Sequence, residues 1–153
     1  MEILNKSIVV VFACMTLSFC LLSQSDVAVR EALKKSYDSE YQLKYQKAIE
    51  DLQGVYEPTS YELNLRIAWL SYKVGKYSES VNYYKKAIAK MPLSIEAKLG
   101  VVYPLGALEK WDQVVDNYLA IVKIDGFNAT ANYRLALIYY NRGDYGNSWK
   151  YLQ

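Results

Sequence analysis

Between residues 61 and 92 the apolar side chains recur at the spacing of helix turns, with polar side chains between them. Intervals of three, four and seven residues join the large apolar members of this stripe, which are Ile67, Tyr77, Val81, Tyr84 and Ile88. Val74-Gly75-Lys76 interrupts the pattern, and its glycine can adopt the backbone angles of a tight turn. Pro92 ends the second segment because proline cannot continue a helix. The pattern therefore predicts two short amphipathic helices joined at Gly75.

Small side chains occupy the positions where these two helices must touch. Ala68 lies on the first helix, and Ser80 and Ala87 lie on the second. A hairpin of this length cannot bury both of its faces alone, so it needs neighbours of the same shape. The hairpin is therefore predicted to be one unit of a stack.

Similar side chains return at intervals of 34 residues after this hairpin. The interval leads from Tyr61 to Ile95 and then to Ala129. The corresponding residues are Gly75, Glu109 and Gly143; Tyr77, Trp111 and Tyr145; Ser80, Val114 and Ser148; Tyr84, Tyr118 and Leu152; Ala68, Val102 and Ala136; and Ala87 and Ile121. The phase is kept over three units.

Residues 61–153 resemble the tetratricopeptide repeat. The matching residues are Gly75, Tyr77, Tyr84, Ala87 and Pro92 in one unit and Ala136, Tyr139, Gly143 and Tyr145 in the last. The resemblance implies an all-α fold of stacked helix-turn-helix units, a tetratricopeptide-like α-solenoid of about three and a half repeats. The repeats are predicted at 61–94 and 95–128, with an incomplete one at 129–153. Residues 26–60 are interpreted as a degenerate first repeat or N-terminal cap, in which the interval is 32 because Tyr45 corresponds to Tyr77.

The middle repeat departs from the family pattern at three positions. Glu109 replaces the turn glycine, Gly126 stands where the proline is expected, and Pro104 falls inside the first helix. An internal proline removes one backbone hydrogen bond and clashes with the carbonyl group four residues earlier. We therefore predict a kink near Val101, with a break into two short helices as the alternative.

Residues 1–25 have the pattern of a secretory signal peptide. Lys6 supplies a positive charge, residues 8–22 form an uncharged apolar run, and Ser23 and Ser25 are small residues suited to cleavage. The run is shorter than the roughly 20 residues of a membrane-spanning helix, so cleavage is favoured over retention as an anchor. The chain is thus predicted to be exported, as a periplasmic or secreted protein or a membrane-anchored one. Membrane contact is expected only if this segment is retained.

The composition excludes several classes of function. The net charge of +2 is dispersed along helix faces, which argues against nucleic-acid binding. The chain has no histidine, and its two cysteines, Cys14 and Cys20, both lie in the N-terminal segment. Residues 26–153 therefore lack the side chains of a histidine-based triad, a cysteine nucleophile or a structural zinc site. No cofactor, metal or catalytic residue is predicted; Asp112 and Asp116 are interpreted as solvated surface charge.

The resemblance also implies where a ligand would bind, because the family uses the first helix of each repeat to line a concave groove. The second, fifth, ninth, twelfth and thirteenth positions would face this groove, and the sixth would lie at its edge. The candidate binding residues are Arg66, Trp69, Tyr72, Lys73, Tyr103, Tyr133, Arg134 and Tyr140. The family's Lys and Asn clamp for a terminal carboxylate is absent, since its positions hold Leu65, Trp69, Leu99, Tyr103, Tyr133 and Leu137.

These residues predict a non-catalytic scaffold that binds a peptide or another protein through aromatic rings. Two alternatives remain at this stage: a module that binds a glycan or cell-envelope polymer, and a membrane-anchored assembly adaptor. A structural alternative for Trp69 and Tyr103 is packing against the adjacent repeat without reaching solvent. In the incomplete last repeat Leu152 is apolar and no polar capping helix follows it, which leaves two interpretations: the chain is cut short here, the simpler one, or this open end self-associates.

Overall fold

The computed structural model describes residues 26–152, and in this part of the chain the secondary structure is helical, without strands. The signal peptide predicted at residues 1–25 lies outside the described residues. The helices are α1 (26–41), α2 (Tyr45–Gln53), α3 (Tyr61–Lys73), α4 (Tyr77–Lys90), α5 (Ile95–Ala107), α6 (Trp111–Ile124), α7 (Ala129–Asn141) and α8 (Tyr145–Lys150). None of the helices in the described part is long and apolar enough to span a bilayer. The chain divides into two compact units, one ending at Val55 and one beginning at Tyr56.

The first helices of the second unit begin at the predicted interval. Helices α3, α5 and α7 start 34 residues apart, and each follows a residue whose side chain caps it. Ser60, Ser94 and Asn128 accept hydrogen bonds from backbone N–H groups three residues later, at 3.3, 3.0 and 3.1 Å. These N–H groups have no partner within the helix, so the caps fix where each helix starts. Asn128 is therefore a helix cap in this fold.

Four turns of one geometry join the paired helices. In each turn a backbone N–H donates to the carbonyl oxygen five residues earlier, from Lys44, Lys76, Lys110 and Asp144, always at 2.9 Å. The preceding residue has a positive φ in each case: 61° at Leu43, 79° at Gly75, 57° at Glu109 and 75° at Gly143. This is the Schellman arrangement that ends helices in the left-handed conformation. The middle repeat thus keeps the turn without the glycine.

Replacing Glu109 with glycine is expected to raise the free energy of unfolding by about 0.5–1 kcal/mol. A side chain in the left-handed conformation costs about 1–2 kcal/mol, and glycine's larger unfolded-state entropy offsets part of that gain. Urea unfolding followed by circular dichroism measures the change. Glu109→Ala is the matched control, because it removes the same charge but keeps the Cβ atom. An equal gain in both variants would attribute the effect to charge and contradict the backbone explanation.

The second unit is held together by contacts between successive helices. Each helix from α3 to α8 packs against the next one, and α3 also contacts α5. In the hairpin of α3 and α4 the small residues meet as predicted, since the buried Ser80 hydroxyl donates to the carbonyl oxygen of Ala68 at 2.7 Å. The core includes Val101, Leu105, Val114, Ile121 and Leu135. The two helices of a repeat and the following repeat therefore share one apolar core.

Tyr84 joins one repeat to the next. Its ring is 3% exposed, and it packs on Gly100 of α5 so closely that a Cβ atom added to Gly100 would lie 2.3 Å from the ring. Burial also raises the pKa of the Tyr84 hydroxyl. Gly100 is thus required by this contact between α4 and α5, since any larger side chain would displace the ring.

Helix α5 continues through Pro104, so the predicted alternative of two short helices is wrong. Pro104 lies in the last turn, where only one helical hydrogen bond, to the carbonyl group of Gly100, is lost. The helix then closes through the N–H of Leu108, which donates to the carbonyl oxygen of Pro104 at 3.1 Å. The kink near Val101 stays a prediction.

The first unit contains a hairpin of α1 and α2. Ala48, Ile49 and Leu52 are buried on α2, whereas Val27 on α1 is 52% exposed. Ser39 donates a hydrogen bond to the Asp51 carboxylate, which also accepts one from Lys47 at 2.9 Å. The Ser39 hydroxyl and then the Lys47 ammonium hold the pKa of Asp51 below its ordinary value. Ser39 is buried, whereas Lys47 at the other end of this polar group is exposed.

Candidate functional site

A series of aromatic rings lies at three recurring positions of the second unit. The ninth and twelfth positions fall in the last turns of α3, α5 and α7, and the seventeenth begins α4, α6 and α8. The Schellman turns bring these positions together at one end of each hairpin. We call the set the aromatic ladder; it comprises Trp69, Tyr72, Tyr77, Tyr103, Trp111, Tyr140 and Tyr145.

Tyr72 is the centre of the ladder's first part. Its ring centroid lies 5.8 Å from those of Trp69, Tyr77 and Tyr103, at interplanar angles of 37°, 43° and 43°. These spacings lie within the 4.5–7 Å range of favourable ring contacts. The ammonium group of Lys73 lies 5.3 Å from the Trp69 ring centroid, a cation–π contact. Four rings from two successive repeats thus form one connected cluster.

The other two hairpins carry variants of the same contact. Tyr140 and Tyr145 meet edge to face with centroids 5.5 Å apart, in the positions of Tyr72 and Tyr77. In the middle repeat a glycine replaces the first ring, and a Cβ atom at Gly106 would lie 4.0 Å from the Trp111 indole. The larger Trp111 therefore extends toward the space that a tyrosine at position 106 would use.

Several ladder rings are open to solvent. Exposed fractions are 54% for Tyr103 and 51% for Trp111, and Tyr140 and Tyr145 are more exposed still. The structural alternative required Tyr103 to be packed away from solvent, and its exposure contradicts that alternative. Trp69 and Tyr72 are half-buried, so they support the ladder while keeping part of each ring accessible.

The two candidate arginines lie at the sixth position of their repeats, where Gly100 meets Tyr84 in the middle repeat. In α5 this position faces the preceding helix, α4. Arg66, expected at the edge of the groove, is 7% exposed. Arg134 is exposed and close to Tyr118, whose pKa burial raises while the charge of Arg134 opposes the shift. The exposed Arg134 is thus the better placed of the two to meet a ligand.

The last hairpin forms a small apolar cavity of about 160 Å³. Its lining comprises Tyr133, Ala136, Leu137, Tyr140, Ser148 and Leu152. Tyr133 and Tyr140, both candidates from the sequence, therefore meet here rather than in the cluster around Tyr72. Self-association through this end stays a prediction.

The ladder carries little charge and no arrangement typical of catalysis. Asp112, one of the carboxylates considered in the sequence, pairs with Arg142 at 3.0 Å. Among residues 26–152 no three metal-binding side chains come together. The ladder offers ring faces, tyrosine hydroxyls and indole N–H groups, which suit non-covalent recognition.

Similar proteins are found only by comparison of structures. No family model matches the sequence, and no curated protein sequence matches it. The structure is similar to a crystal structure of MamA, with 18% identity, a TM-score of 0.73, and coverage of 80% of this chain and 73% of MamA. It is also similar to a tetratricopeptide repeat protein from Parabacteroides merdae, with 19% identity and a TM-score of 0.75 over 81% of this chain. The chain spans about half the length of that protein, 50%.

The chain has the tetratricopeptide-repeat fold. A third similar structure is MamA from Desulfovibrio magneticus RS-1, with 13% identity, a TM-score of 0.71, and coverage of 81% of this chain and 71% of that one. Identities this low establish the arrangement of helices and leave the ligand open. The tetratricopeptide-repeat fold accounts for the ladder's regularity, since a shared repeat puts equivalent positions on one face.

Some ladder residues were missed by reasoning from the sequence. Tyr77 was assigned to the apolar stripe, and Trp111 and Tyr145 were aligned with it, whereas the structure leaves the last two more than half exposed. Their position directly after the turn is the signal that could have identified them. The first residue after a Schellman turn of the tetratricopeptide-repeat fold lies at the end of the hairpin, beside the twelfth position.

Proposed function

We propose that this chain is a non-catalytic scaffold that binds an extended segment of another protein across the aromatic ladder. The observation that carries the proposal is the connected cluster around Tyr72, with the half-exposed Tyr103 as its accessible member. Aromatic rings that remain accessible on a rigid helical frame are typical of binding hot spots. The tetratricopeptide-repeat fold itself is a scaffold that presents such surfaces to partners.

The ligand is expected to be extended because of what the ladder can offer. Ring faces supply apolar contact area, and the hydroxyl groups of Tyr103 and Tyr140 supply hydrogen bonds at the solvent side. An extended segment exposes its backbone to such donors, whereas a helix satisfies its own. The exposed Arg134 adds a charged donor beside Tyr118.

We also propose that the chain works outside the cytoplasm. The support is the sequence of residues 1–25, with a positive Lys6 before an apolar run and small residues at 23–25. Periplasmic or secreted protein is the outcome if this segment is cleaved, and a membrane-anchored adaptor is the outcome if it is retained. N-terminal sequencing of the protein purified from its native source distinguishes the two.

Simultaneous replacement of Trp69 and Tyr72 by alanine is expected to reduce partner capture at least tenfold. These rings belong to the connected part of the ladder. Truncating an aromatic hot-spot residue to alanine costs more than about 1 kcal/mol of binding free energy. A photo-crosslinking residue at position 103 of the full chain, used in native cells, allows the captured partner to be measured by mass spectrometry. Far-ultraviolet circular dichroism of the double variant tests whether helicity is kept.

The same crosslinking residue at position 41, which carries a tyrosine that is 91% exposed in the first unit, is the matched control. Equal capture from positions 41 and 103, or capture unchanged by the double replacement with full helicity, would contradict the proposal. Recovery of a glycan polymer instead of a protein would favour the glycan-binding alternative.

A further inference from the structure

We propose that two copies of this chain associate through the outer side of the last hairpin, with Trp149 of each copy entering the apolar cavity of the other. The inference is independent of the proposed ligand, because the cluster around Tyr72 lies on α3, α4 and α5. We call the surface the open face; it consists of Tyr133, Leu137, Tyr140, Trp149 and Leu152.

The open face continues an interface that the two preceding repeats already form. Helix α5 packs on α4 and α7 packs on α6, whereas α8 contacts α7 alone among the helices of the second unit. Trp149 and Leu152, at the twenty-first and twenty-fourth positions of their repeat, are 65% and 58% exposed. The residues at these two positions of the preceding repeats are all buried: Val81, Tyr84, Val115 and Tyr118. The open face therefore has the composition of a surface that another element covers.

The open face carries both a cavity and a ring that can enter it. The cavity of the last hairpin has a volume of about 160 Å³. An apolar cavity of about 150 Å³ is large enough to bind benzene, so one aromatic ring fits here. Trp149 follows Ser148 and precedes Leu152, two residues of the cavity lining. A surface with a cavity and a neighbouring exposed ring can be complementary to a second copy of itself, as a two-fold interface requires.

The apolar area of the open face is sufficient for a weak dimer. A fully buried aromatic side chain covers about 150–250 Å². Tyr133, Tyr140 and Trp149 are more than half exposed, and with the two leucines the face offers on the order of 500 Å² per copy. Two such faces bury about 1,000 Å², the lower limit for specific protein interfaces. We therefore expect a reversible dimer with a roughly micromolar dissociation constant.

Pairing of two identical open faces fits better than head-to-tail stacking. In a head-to-tail stack the open face would meet the first described helix, α1, of the next copy. On α1 the exposed charges of Glu31, Lys34 and Asp38 separate the exposed apolar residues Val27 and Tyr37. Placing those charges against an apolar cavity would remove them from water without partners, which is unfavourable. Two identical faces avoid this cost and close the assembly at two copies.

The open face itself is uncharged. Four charged residues lie within 129–152, and none of them lines the cavity: Arg134, Arg142, Asp144 and Lys150. The Arg142 guanidinium is paired with Asp112, and the Asp144 carboxylate accepts hydrogen bonds from Asn147. Association through this face therefore depends on apolar contact, which salt does not screen.

Sedimentation equilibrium of the full chain in a density-matched detergent measures the association. A monomer–dimer equilibrium is expected, no weaker at high salt than at low salt. Trp149→Ala is expected to raise the dissociation constant at least tenfold, because the variant loses the ring that enters the cavity. Tyr41→Ala removes an exposed ring from the first unit and is the matched control, expected to leave the equilibrium unchanged. Thermal unfolding of each variant establishes that the fold is intact.

A photo-crosslinking residue at position 137 locates the contact in cells that produce the full chain. Pairing of identical faces predicts a covalent homodimer, in which mass spectrometry finds position 137 of one copy joined to residues 129–152 of the other. The same crosslinking residue at position 41 is expected to give no homodimer. Because Tyr140 lines the cavity and also belongs to the aromatic ladder, dimer formation would withdraw that ring from a ligand and leave the cluster around Tyr72.

Each other outcome overturns the inference. A chain that stays monomeric at high concentration, or a dimer that Trp149→Ala does not weaken, would show that the open face does not hold a second copy. Crosslinks from position 137 to α1 of another copy would establish head-to-tail stacking instead. Crosslinks from position 137 only to a different polypeptide would identify that polypeptide as the element that covers the face. The proposed scaffold is tested separately, by capture from position 103, and stands or fails independently of these results.

Discussion

Replacing Tyr84 with alanine is expected to lower the free energy of unfolding by about 3–5 kcal/mol. The ring is 3% exposed and lies in the apolar core between α4 and α5, so its removal leaves a cavity bounded by two repeats. In stacked repeats the contact between neighbours supplies much of the stability of each repeat. Urea unfolding followed by circular dichroism measures the loss, and a shallower transition would show that the repeats no longer unfold together.

A second replacement tests whether the Tyr84 ring is held by Gly100. Gly100→Ala is expected to destabilise the protein by about 1–3 kcal/mol because the new Cβ atom would lie 2.3 Å from the ring. This loss exceeds the gain of up to about 1 kcal/mol that alanine brings to a helix. With Tyr84→Leu already in place the same change should cost less, and the double-mutant cycle gives the coupling.

Gly146→Ala is the matched control for this effect. Gly146 also lies in a helix, but a Cβ atom there would be 3.8 Å from its nearest neighbour, the side chain of Asp144. Its replacement is expected to be neutral or stabilising. If Gly100→Ala were as harmless as Gly146→Ala, the close contact between Tyr84 and Gly100 would not determine the packing of these repeats.

The 34-residue interval could be predicted because every hairpin needs a close contact between its two helices and a tight turn between them. Small residues at Ala68 and Ser80 allow two helices to approach, and Gly75 allows the turn between them. These features depend on neighbours within one hairpin, so the sequence contains all that is needed. The starts of α3, α5 and α7 accordingly fall at Tyr61, Ile95 and Ala129.

The turn of the middle repeat could not be predicted from the preferences of its own residues. Glu109 has a low preference for positive φ, yet it adopts 57° because the helices on either side fix the path of the chain. Leu43 does the same at 61° in the first unit. Tertiary packing thus imposes a conformation that the residue type alone does not favour, and only the period of the repeat could have indicated it.

The sequence indicated which aromatic residues lie near one another, but not which side chains are covered by neighbouring helices. The ninth and twelfth positions were identified, and Trp69, Tyr72 and Tyr103 do meet. Arg66 was placed at the edge of a groove but is buried, and a helical stripe in the sequence does not reveal which neighbour covers a given position. The distinction between a packed ring and an open one depends on residues far away in the sequence.

Replacing Asn64 with alanine is expected to lower the free energy of unfolding by about 2–3 kcal/mol. Asn64 is fully buried at the start of α3, and its amide nitrogen donates to the carbonyl oxygens of Pro58 at 2.8 Å and Ser60 at 2.6 Å. Its side-chain oxygen accepts from the Tyr56 hydroxyl at 3.0 Å. Alanine removes all three hydrogen bonds of this buried side chain, and each contributes roughly 1 kcal/mol.

The network around Asn64 continues to the surface. The Tyr56 hydroxyl accepts a hydrogen bond from the Lys86 ammonium group at 3.0 Å, which raises the pKa of that lysine. Asn64→Ala removes the acceptor that orients the Tyr56 hydroxyl, so the segment before α3 is expected to loosen. Faster amide hydrogen exchange at Ser60 and Leu63 measures this local effect apart from global stability.

Asn132→Ala is the matched control, because Asn132 occupies the same position of its repeat. It is only half-buried, and its amide nitrogen donates to the carbonyl oxygen of Gly126 at 2.9 Å. Water can replace that single bond, so we expect a loss of less than about 1 kcal/mol. Equal losses at Asn64 and Asn132 would show that the shared repeat position, and not the buried network, determines the effect. A large loss confined to Asn64→Ala would establish that this network anchors the entry to the repeats that carry the aromatic ladder.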